Sequence, residues 1–374
     1  MSSNLKVFRD IIFQNSALLK YLTNNSKFEF KFKKFKKFKT IVIIGMGGSI
    51  LGAKAIYYFM KNKTKKKFIF IDNLNINYLK KIKKENKLNK TLFIIISKSG
   101  NTTETIVNLN FFNEFIKEKN TIIISERKNN ILYKFAKKRK ILFVNHNKNI
   151  GGRYSVFSDV SMLPVTLMGF KPEKFKKDIP RFISNNNFTK ELIKDINQMN
   201  FKKNKVLILF NYIPELNNFM YWIQQIFAES LGKKGKGFTP VISNAPKDHH
   251  SLLQLYLDGP RDKLFYVFSD NEKDKKKINT KKFTKEIHFL ENKTLNSIKS
   301  FQKNAFIKTI SKKNIPFREF VFEKFDEETI GELFVYFILE TIIIGKLTGV
   351  NPFDQPAVEQ VKVLTNYYLK KFSK

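Results

Sequence analysis

The chain has 374 residues, enough for two ordinary domains, and 42% of them are apolar, enough for a sizeable core. Its formal charge of +38 comes almost wholly from lysine spread along the chain, with Lys, Asn, Ile and Phe in excess together as A/T-rich codons would write them, so no specific nucleic-acid partner is expected. Cysteine is absent, which excludes disulfides, thiolate nucleophiles and cysteine zinc sites.

The first residues carry no basic-plus-apolar leader with a small-residue cleavage site, so a cytoplasmic location is expected. The densest lysine runs follow, at Lys31–Thr40 and Lys63–Lys67, and give a field that attracts small anions. Short apolar runs then alternate with helical patterns. Strands are predicted over Thr40–Ile44, Phe68–Ile71, Leu92–Ile96, Thr121–Ser125 and Ile141–Asn145, and helices over Leu51–Lys61, Thr102–Lys117 and Asn130–Lys138. This βαβ rhythm gives a parallel sheet covered on both faces. A helical stretch near Ser161–Asn200 leads to a second round. Strands are predicted there at Val206–Phe210, Phe265–Phe268 and Ile287–Leu290, with helices at Asn217–Leu231, Thr294–Lys313, Glu327–Thr348 and Pro356–Phe372. The run Leu333–Leu347 is too short for a bilayer and has Glu340 in its middle, so a buried helix and no membrane association are expected. The expected class is α/β, with two doubly wound parallel-sheet domains (1–180 and 181–350) and a C-terminal helical segment (351–374).

In parallel sheets ligands gather at the carboxyl ends of strands, and two loops stand out there. The first, Gly45-Met46-Gly47-Gly48-Ser49, resembles a dinucleotide fingerprint, and Asp72 ends a second strand, but Ile50 occupies the third glycine position. A plain tight turn explains it equally. The second is Ser97-Lys98-Ser99-Gly100-Asn101-Thr102-Thr103-Glu104-Thr105. Its hydroxyls can donate, Gly100 lets backbone N–H groups approach a ligand, and Asn101 with Glu104 has the spacing of a helix-capping pair. Hydroxyls at a helix N-terminus fit the oxygens of a phosphate monoester. Capping alone accounts for one or two of them.

Four side chains are candidates for chemistry. Helical spacing puts Glu229 on one face with Trp222 and Gln225, while Ile223, Ile226 and Phe227 form a core stripe. Burial there would raise the carboxyl pKa and make a general base, whereas a surface Glu would do nothing. His250, behind Asp248 and His249, can shuttle protons near neutral pH or merely start a helix. No His-x-x-x-His or carboxylate cluster accompanies it, so no metal site is expected. Arg153 stands where compositional bias would have written Lys, which points to planar, delocalised charge contact. Lys362, in the segment Asn351–Lys362, is singled out only by its setting.

Taken together, GMGGS, SKSGNTTET, GGRYSVFS, QQIFAES, DHHSLLQLYLDGP and NPFDQPAVEQVK, in this order from Gly45 to Lys362, resemble the glucose-6-phosphate isomerase family. The resemblance implies two sugar-isomerase-type domains and a homodimer with a shared active site. It implies interconversion of glucose 6-phosphate and fructose 6-phosphate through an enediol(ate), without metal or organic cofactor. Ser97, Lys98, Ser99, Gly100, Asn101 and Thr102 would hold the phosphate, with Gly48 and Ser49 nearby. Glu229 would move the proton between C1 and C2, and Arg153 would steady the enediolate. His250 from the second subunit and Lys362 would open the ring, and Gln225 and Gln355 would line the pocket. Gly100-Asn101 replaces bulkier residues of longer family members, which implies a looser phosphate loop. A dual phosphoglucose/phosphomannose isomerase and a non-catalytic sugar-phosphate-binding regulator are the alternatives.

Overall fold

The computed structural model describes residues 18, 21–22, 33–201, 203–272, 274–281 and 284–372. The first unit runs β1 (Thr40–Gly45), α1 (Leu51–Phe59), β2 (Lys67–Ile71), α2 (Ile76–Glu85), β3 (Thr91–Ile96), α3 (Thr103–Phe111), β4 (Thr121–Ser125), α4 (Ile131–Lys138) and β5 (Leu142–Asn145). A 3-10 turn over Gly152–Phe157 then leads into α5 (Asp159–Met168), α6 (Pro172–Lys176), α7 (Ile179–Ser184) and α8 (Asn186–Gln198), the expected helical connection. The second unit runs β6 (Val206–Asn211), α9 (Asn217–Leu231), β7 (Thr239–Asn244), α10 (Leu253–Asp258), β8 (Lys263–Asp270), α11 (Leu295–Lys312), β9 (Phe317–Phe322) and α12 (Glu327–Leu347). The last helix, α13, spans Val358–Lys371.

The strand sequences explain the sheets. β1, β3 and β4 are unbroken apolar runs, which suits parallel strands covered on both faces. The first sheet is parallel in the order β2-β1-β3-β4-β5, and Ile43 of β1 faces Phe70 on one side and Ile94 on the other. The second is parallel in the order β7-β6-β8-β9. The second therefore repeats the strand order of the first four strands of the first sheet. In each, the order reverses beside the opening strand, where a doubly wound sheet leaves its ligand crevice.

Side chains of alternate parity separate into layers, as the two-residue period of a strand requires. Ile41, Ile43, Leu92 and Ile94 of the first sheet share one continuous core with Leu207, Leu209, Leu264 and Tyr266 of the second, filled by α1, α5, α9 and α12. Val42, Ile44, Phe93 and Ile95 face the other way, against Leu79, Leu109 and Leu132. Ile208, Phe210, Phe265 and Val267 do the same in the second unit, against Tyr256, Phe306 and Ile310.

Three features of the second unit depart from expectation. Ile287–Leu290 is no strand but part of a 3-10 turn, Lys285–Leu290, with Phe289 largely exposed. The sheet's outer positions are taken instead by β7 and β9. β7 contains Pro240, which lacks an N–H and fits only at an edge. The apolar pattern of β9 is interrupted by Arg318 and Glu319, yet Arg318 turns inward to Glu340 of α12, with its guanidinium 2.5 Å from the carboxylate. The Tyr266 hydroxyl donates to the same carboxylate at 2.6 Å. Burial pushes the Glu340 carboxyl up, and Arg318 and Tyr266 oppose that rise. Glu340 is thus a fully buried, paired charge in a core helix. Among the described residues no helix is long and apolar enough to cross a membrane.

Candidate active site

The two crevice loops of the first sheet lie side by side. A Cβ on Gly45, at the end of β1, would come within 2.9 Å of the Ile96 carbonyl at the end of β3. After β3 the chain turns sharply. Gly100 has φ +70°, and a Cβ there would fall 2.2 Å from the Asn130 side chain. The turn gathers three hydroxyls: Ser97 Oγ lies 2.8 Å from Thr102 Oγ1 and 3.5 Å from Ser99 Oγ, and Ser99 Oγ lies 3.5 Å from Thr102 Oγ1. Ser97 Oγ also accepts from Gly100 N at 3.1 Å. The cluster stands at the N-terminus of α3, where the first backbone N–H groups of the helix and its dipole favour an anion.

Two members of this loop do something else. Asn101 does not pair with Glu104; its side-chain carbonyl accepts from Ile131 N at 3.0 Å and ties the loop to the start of α4. The N-cap of α3 is Thr102, without a side-chain cap bond. Leu132 N also donates to the Gly100 carbonyl at 3.1 Å, so the Gly100-Asn101 pair anchors the loop rather than loosening it. Lys98 donates to the Lys148 carbonyl at 3.0 Å, and Glu126 lies 3.8 Å away. Burial pushes the Lys98 ammonium pKa down.

The glycine loop after β1 is no dinucleotide cradle. The Asp72 carboxylate is paired with Lys54 at 2.7 Å. A Cβ on Gly48 would lie 2.3 Å from the backbone of Gly152, so the face a pyrophosphate would need is filled by protein. Gly47, at φ +52°, lies against the Gln225 side chain, where a Cβ would fall 2.8 Å from Nε2. Ser49 continues the same turn, its N–H donating to Met46 O at 3.1 Å. This turn therefore seats both Gln225 and the chain that carries Arg153. Gly48→Ala is expected to cost about 1–3 kcal/mol through overpacking against backbone. Urea denaturation measures it, and an unchanged midpoint would contradict this contact.

Arg153 and Glu229 meet at the seam between the two units. Arg153 is 2% exposed, in the 3-10 turn before α5, and its Nη1 stands 3.2 Å from Glu229 Oε1 near the end of α9. Gln225, one turn earlier on α9, donates Nε2 to Glu229 Oε2 at 3.1 Å. The rest of the guanidinium is fully occupied. Nε donates to Ser230 Oγ at 2.7 Å, Nη1 to Gln355 Oε1 at 2.5 Å, and Nη2 to the carbonyls of Pro352 and Asp354 at 2.7 and 3.0 Å. Five acceptors in fixed directions are what a planar fork can satisfy and an ammonium cannot. The Glu229 side chain is 25% exposed rather than buried, and Arg153 and Gln225 fix its position. Trp222, expected beside it, lies in the core, stacked on Phe219 and edge-on to Phe334.

The structure therefore brings Arg153, Glu229, Gln225 and Gln355 together, with Gly48 and Ser49 behind them, and gathers Ser97, Ser99 and Thr102 on the adjoining strand end. Two candidates stand outside this set on the single chain. His250 is exposed at the start of the turn before α10. Its neighbour His249 is the packed one, with Nε2 2.7 Å from the Tyr212 hydroxyl and its ring stacked on Phe210. Burial pushes the His249 pKa down. Asp248 builds the turn, accepting from Ser243 Oγ at 2.9 Å, Asn244 N at 2.6 Å and Ser251 Oγ at 2.9 Å. Burial works against its ionisation, but these donors outweigh it and hold the carboxyl below its ordinary range. Lys362 lies on α13, a helix without buried residues, and pairs with Glu359 at 2.6 Å. Three contributors went unseen in the sequence: Tyr154, whose hydroxyl bonds Ser230 Oγ at 3.0 Å and the Pro352 carbonyl at 2.9 Å; Ser230 itself; and Lys233, whose ammonium pairs at 2.7 Å with Asp354, a residue whose carbonyl binds Arg153. The first two had a signal, since each directly follows a candidate.

Two doubly wound sheets with a hydroxyl-lined strand end define a sugar-isomerase-type α/β protein. A hypothetical protein from Thermus thermophilus has this fold with a TM-score of 0.81, at 24% identity, covering 98% of this chain and 90% of that one. The chain belongs to the phosphoglucose isomerase family, whose model matches residues 13–374. A probable glucose-6-phosphate isomerase from Methanococcus maripaludis is 33% identical over 349 residues, 88% of this chain and 78% of that protein. A glucose-6-phosphate isomerase from Methanocaldococcus jannaschii is 31% identical over 348 residues, 89% of this chain and 84% of that protein.

Proposed function

We propose that this protein interconverts glucose 6-phosphate and fructose 6-phosphate through an enediolate, with Glu229 relaying the proton between C1 and C2. The observation that carries the reading is the Arg153–Glu229 pair at 3.2 Å, a carboxylate and a cation in one site. Hydrogen next to a carbonyl is a weak acid, so its removal needs a positioned base and a positive group where oxygen becomes negative. Glu229 is partly exposed and reachable, while Arg153 is locked in place by other acceptors and can turn its field on the oxyanion without rearranging.

The remaining roles are those that the family resemblance implies, and the placement of the hydroxyl loop, Gln225 and Gln355 supports them. The hydroxyls of Ser97, Ser99 and Thr102, with Gly100 and the start of α3, take the phosphate; Lys98 and Asn101 brace that loop from behind. Gln225, which bonds Glu229, and Gln355, which bonds Arg153, line the sugar site, with Gly48 and Ser49 nearby. His250 and Lys362 open the ring, and their exposure on a single chain supports a homodimer in which a second copy brings His250 to the site. The test is a coupled assay on fructose 6-phosphate with chelator present. Glucose 6-phosphate formation at ordinary enzymatic rates is expected, and its absence from folded protein would remove the proposal. Mannose 6-phosphate in the same assay separates a dual-specificity enzyme.

A further inference from the structure

One basic stretch differs from the many lysines around it. Gly232-Lys233-Lys234-Gly235-Lys236-Gly237 leaves α9 directly after Glu229, Ser230 and Leu231. It curls tightly: Lys234, Gly235 and Gly237 have φ of +52°, +69° and +104°, and a Cβ on Gly237 would fall 2.9 Å from the Leu231 carbonyl. The curl aims two ammonium groups at the stretch that follows α12. Lys236 donates to the Thr348 carbonyl at 2.8 Å. Lys233 donates to the Asn351 carbonyl and pairs with Asp354 Oδ1 at 2.7 Å, its side chain only 11% exposed. The Asn351 side chain closes the knot, donating to Asp354 Oδ2 at 3.0 Å and accepting from Phe353 N at 3.0 Å. The same short segment supplies Arg153 with the carbonyls of Pro352 and Asp354 and the side chain of Gln355.

The segment is thus held from two sides, by Lys233 and by Arg153, and both groups are set by the end of α9. We propose that Lys233 is a positioning residue of the isomerisation: it fixes segment 351–355 so that Gln355 and the backbone keep the Arg153 guanidinium spread beside Glu229. This rests on the reading of Arg153 and Glu229 as the reacting centre. Lys233 touches neither of them, and the phosphate hydroxyls sit on a different strand end, so its loss acts on turnover and spares substrate capture. The depressed carboxyl pKa of Asp354, caused first by its hydrogen bond from Lys233, agrees with a formed pair.

The experiment compares Lys233→Met, Lys233→Arg and Asp354→Asn in the full-length protein, by steady-state kinetics on fructose 6-phosphate and by amide hydrogen exchange. Displacing a catalytic group by a fraction of an ångström to one ångström costs up to about 10²-fold. Lys233→Met is therefore expected to lower kcat about 30-fold with KM within about threefold. Exchange should quicken in 350–355 alone, Lys233→Arg should restore most of the turnover, and Asp354→Asn should give a smaller loss. An unchanged kcat in Lys233→Met overturns the proposal. So does an equal loss in Lys233→Arg and Lys233→Met with faster exchange throughout, which would mark general loosening. If Glu229→Gln kept full turnover, the base assignment would fail, whereas the exchange contrast at 350–355 would still report on the Lys233 strut.

Discussion

Glu229→Gln should abolish isomerisation while leaving phosphate-ester binding in place. The amide keeps the shape of the carboxylate and can still accept from Gln225, so α9 and its packing are preserved. What disappears is the capacity to take and return a proton, an effect of about 10²–10⁴-fold for general base catalysis alone. In a one-base mechanism no second group takes over, so the upper end is expected. Two measurements separate chemistry from binding. Deuterium uptake at C2 of glucose 6-phosphate in heavy water, followed by proton NMR, should fall with turnover. Calorimetric binding of a hexitol 6-phosphate, which cannot react, should change little. Exchange at the parental rate would show that another group carries the proton.

Arg153→Lys is the second large effect, and it is a substitution that composition alone would make harmless in so lysine-rich a chain. The guanidinium satisfies Ser230, Gln355, two backbone carbonyls and Glu229 at once. An ammonium has three donors on one atom and cannot reach that spread. Buried acceptors left unpaired cost about 1–3 kcal/mol each, so some stability is lost as well. The catalytic loss is expected at about 10²-fold in kcat, the size of removing one fixed oxyanion partner. KM should move less, because the phosphate loop is built on β3 and does not lean on Arg153. Parental kcat in Arg153→Lys would take Arg153 out of the mechanism.

Interior strands were readable because both of their faces are covered. Thr91–Ile96 and Thr121–Ser125 are written almost without polar residues, and they fall where the apolar runs put them. The first sheet's edge strands, β2 and β5, were legible too as short apolar runs, but those of the second sheet were not, because one side of an edge strand has no neighbour to satisfy. Pro240 and the Arg318-Glu319 pair are tolerated there, and both read as interruptions in a window of sequence. Ile287–Leu290 shows the reverse error, a short apolar run with no vacant sheet position to enter. At the site, Arg153 stood out by its rarity and Glu229 by its surrounding motif, and both lie together. Lys233 could not be seen, since a lysine with a structural task looks like any other in a chain biased toward lysine. Asn101 was visible but misassigned: spacing indicated a partner within its own helix, whereas the bond runs to Ile131, thirty positions away, as only the folded chain reveals.

The two sheets have matching strand orders, yet their inward faces contribute to a single interior. The two halves therefore share an interior and cannot be exchanged as independent modules. A graft of residues from Val206 onward onto another protein would carry a bare apolar flank where Ile41, Leu92 and their neighbours now lie, and would leave Glu229 without its cation. A change in a loop or helix end is borne locally, whereas a change on either inward face is felt by both joined halves.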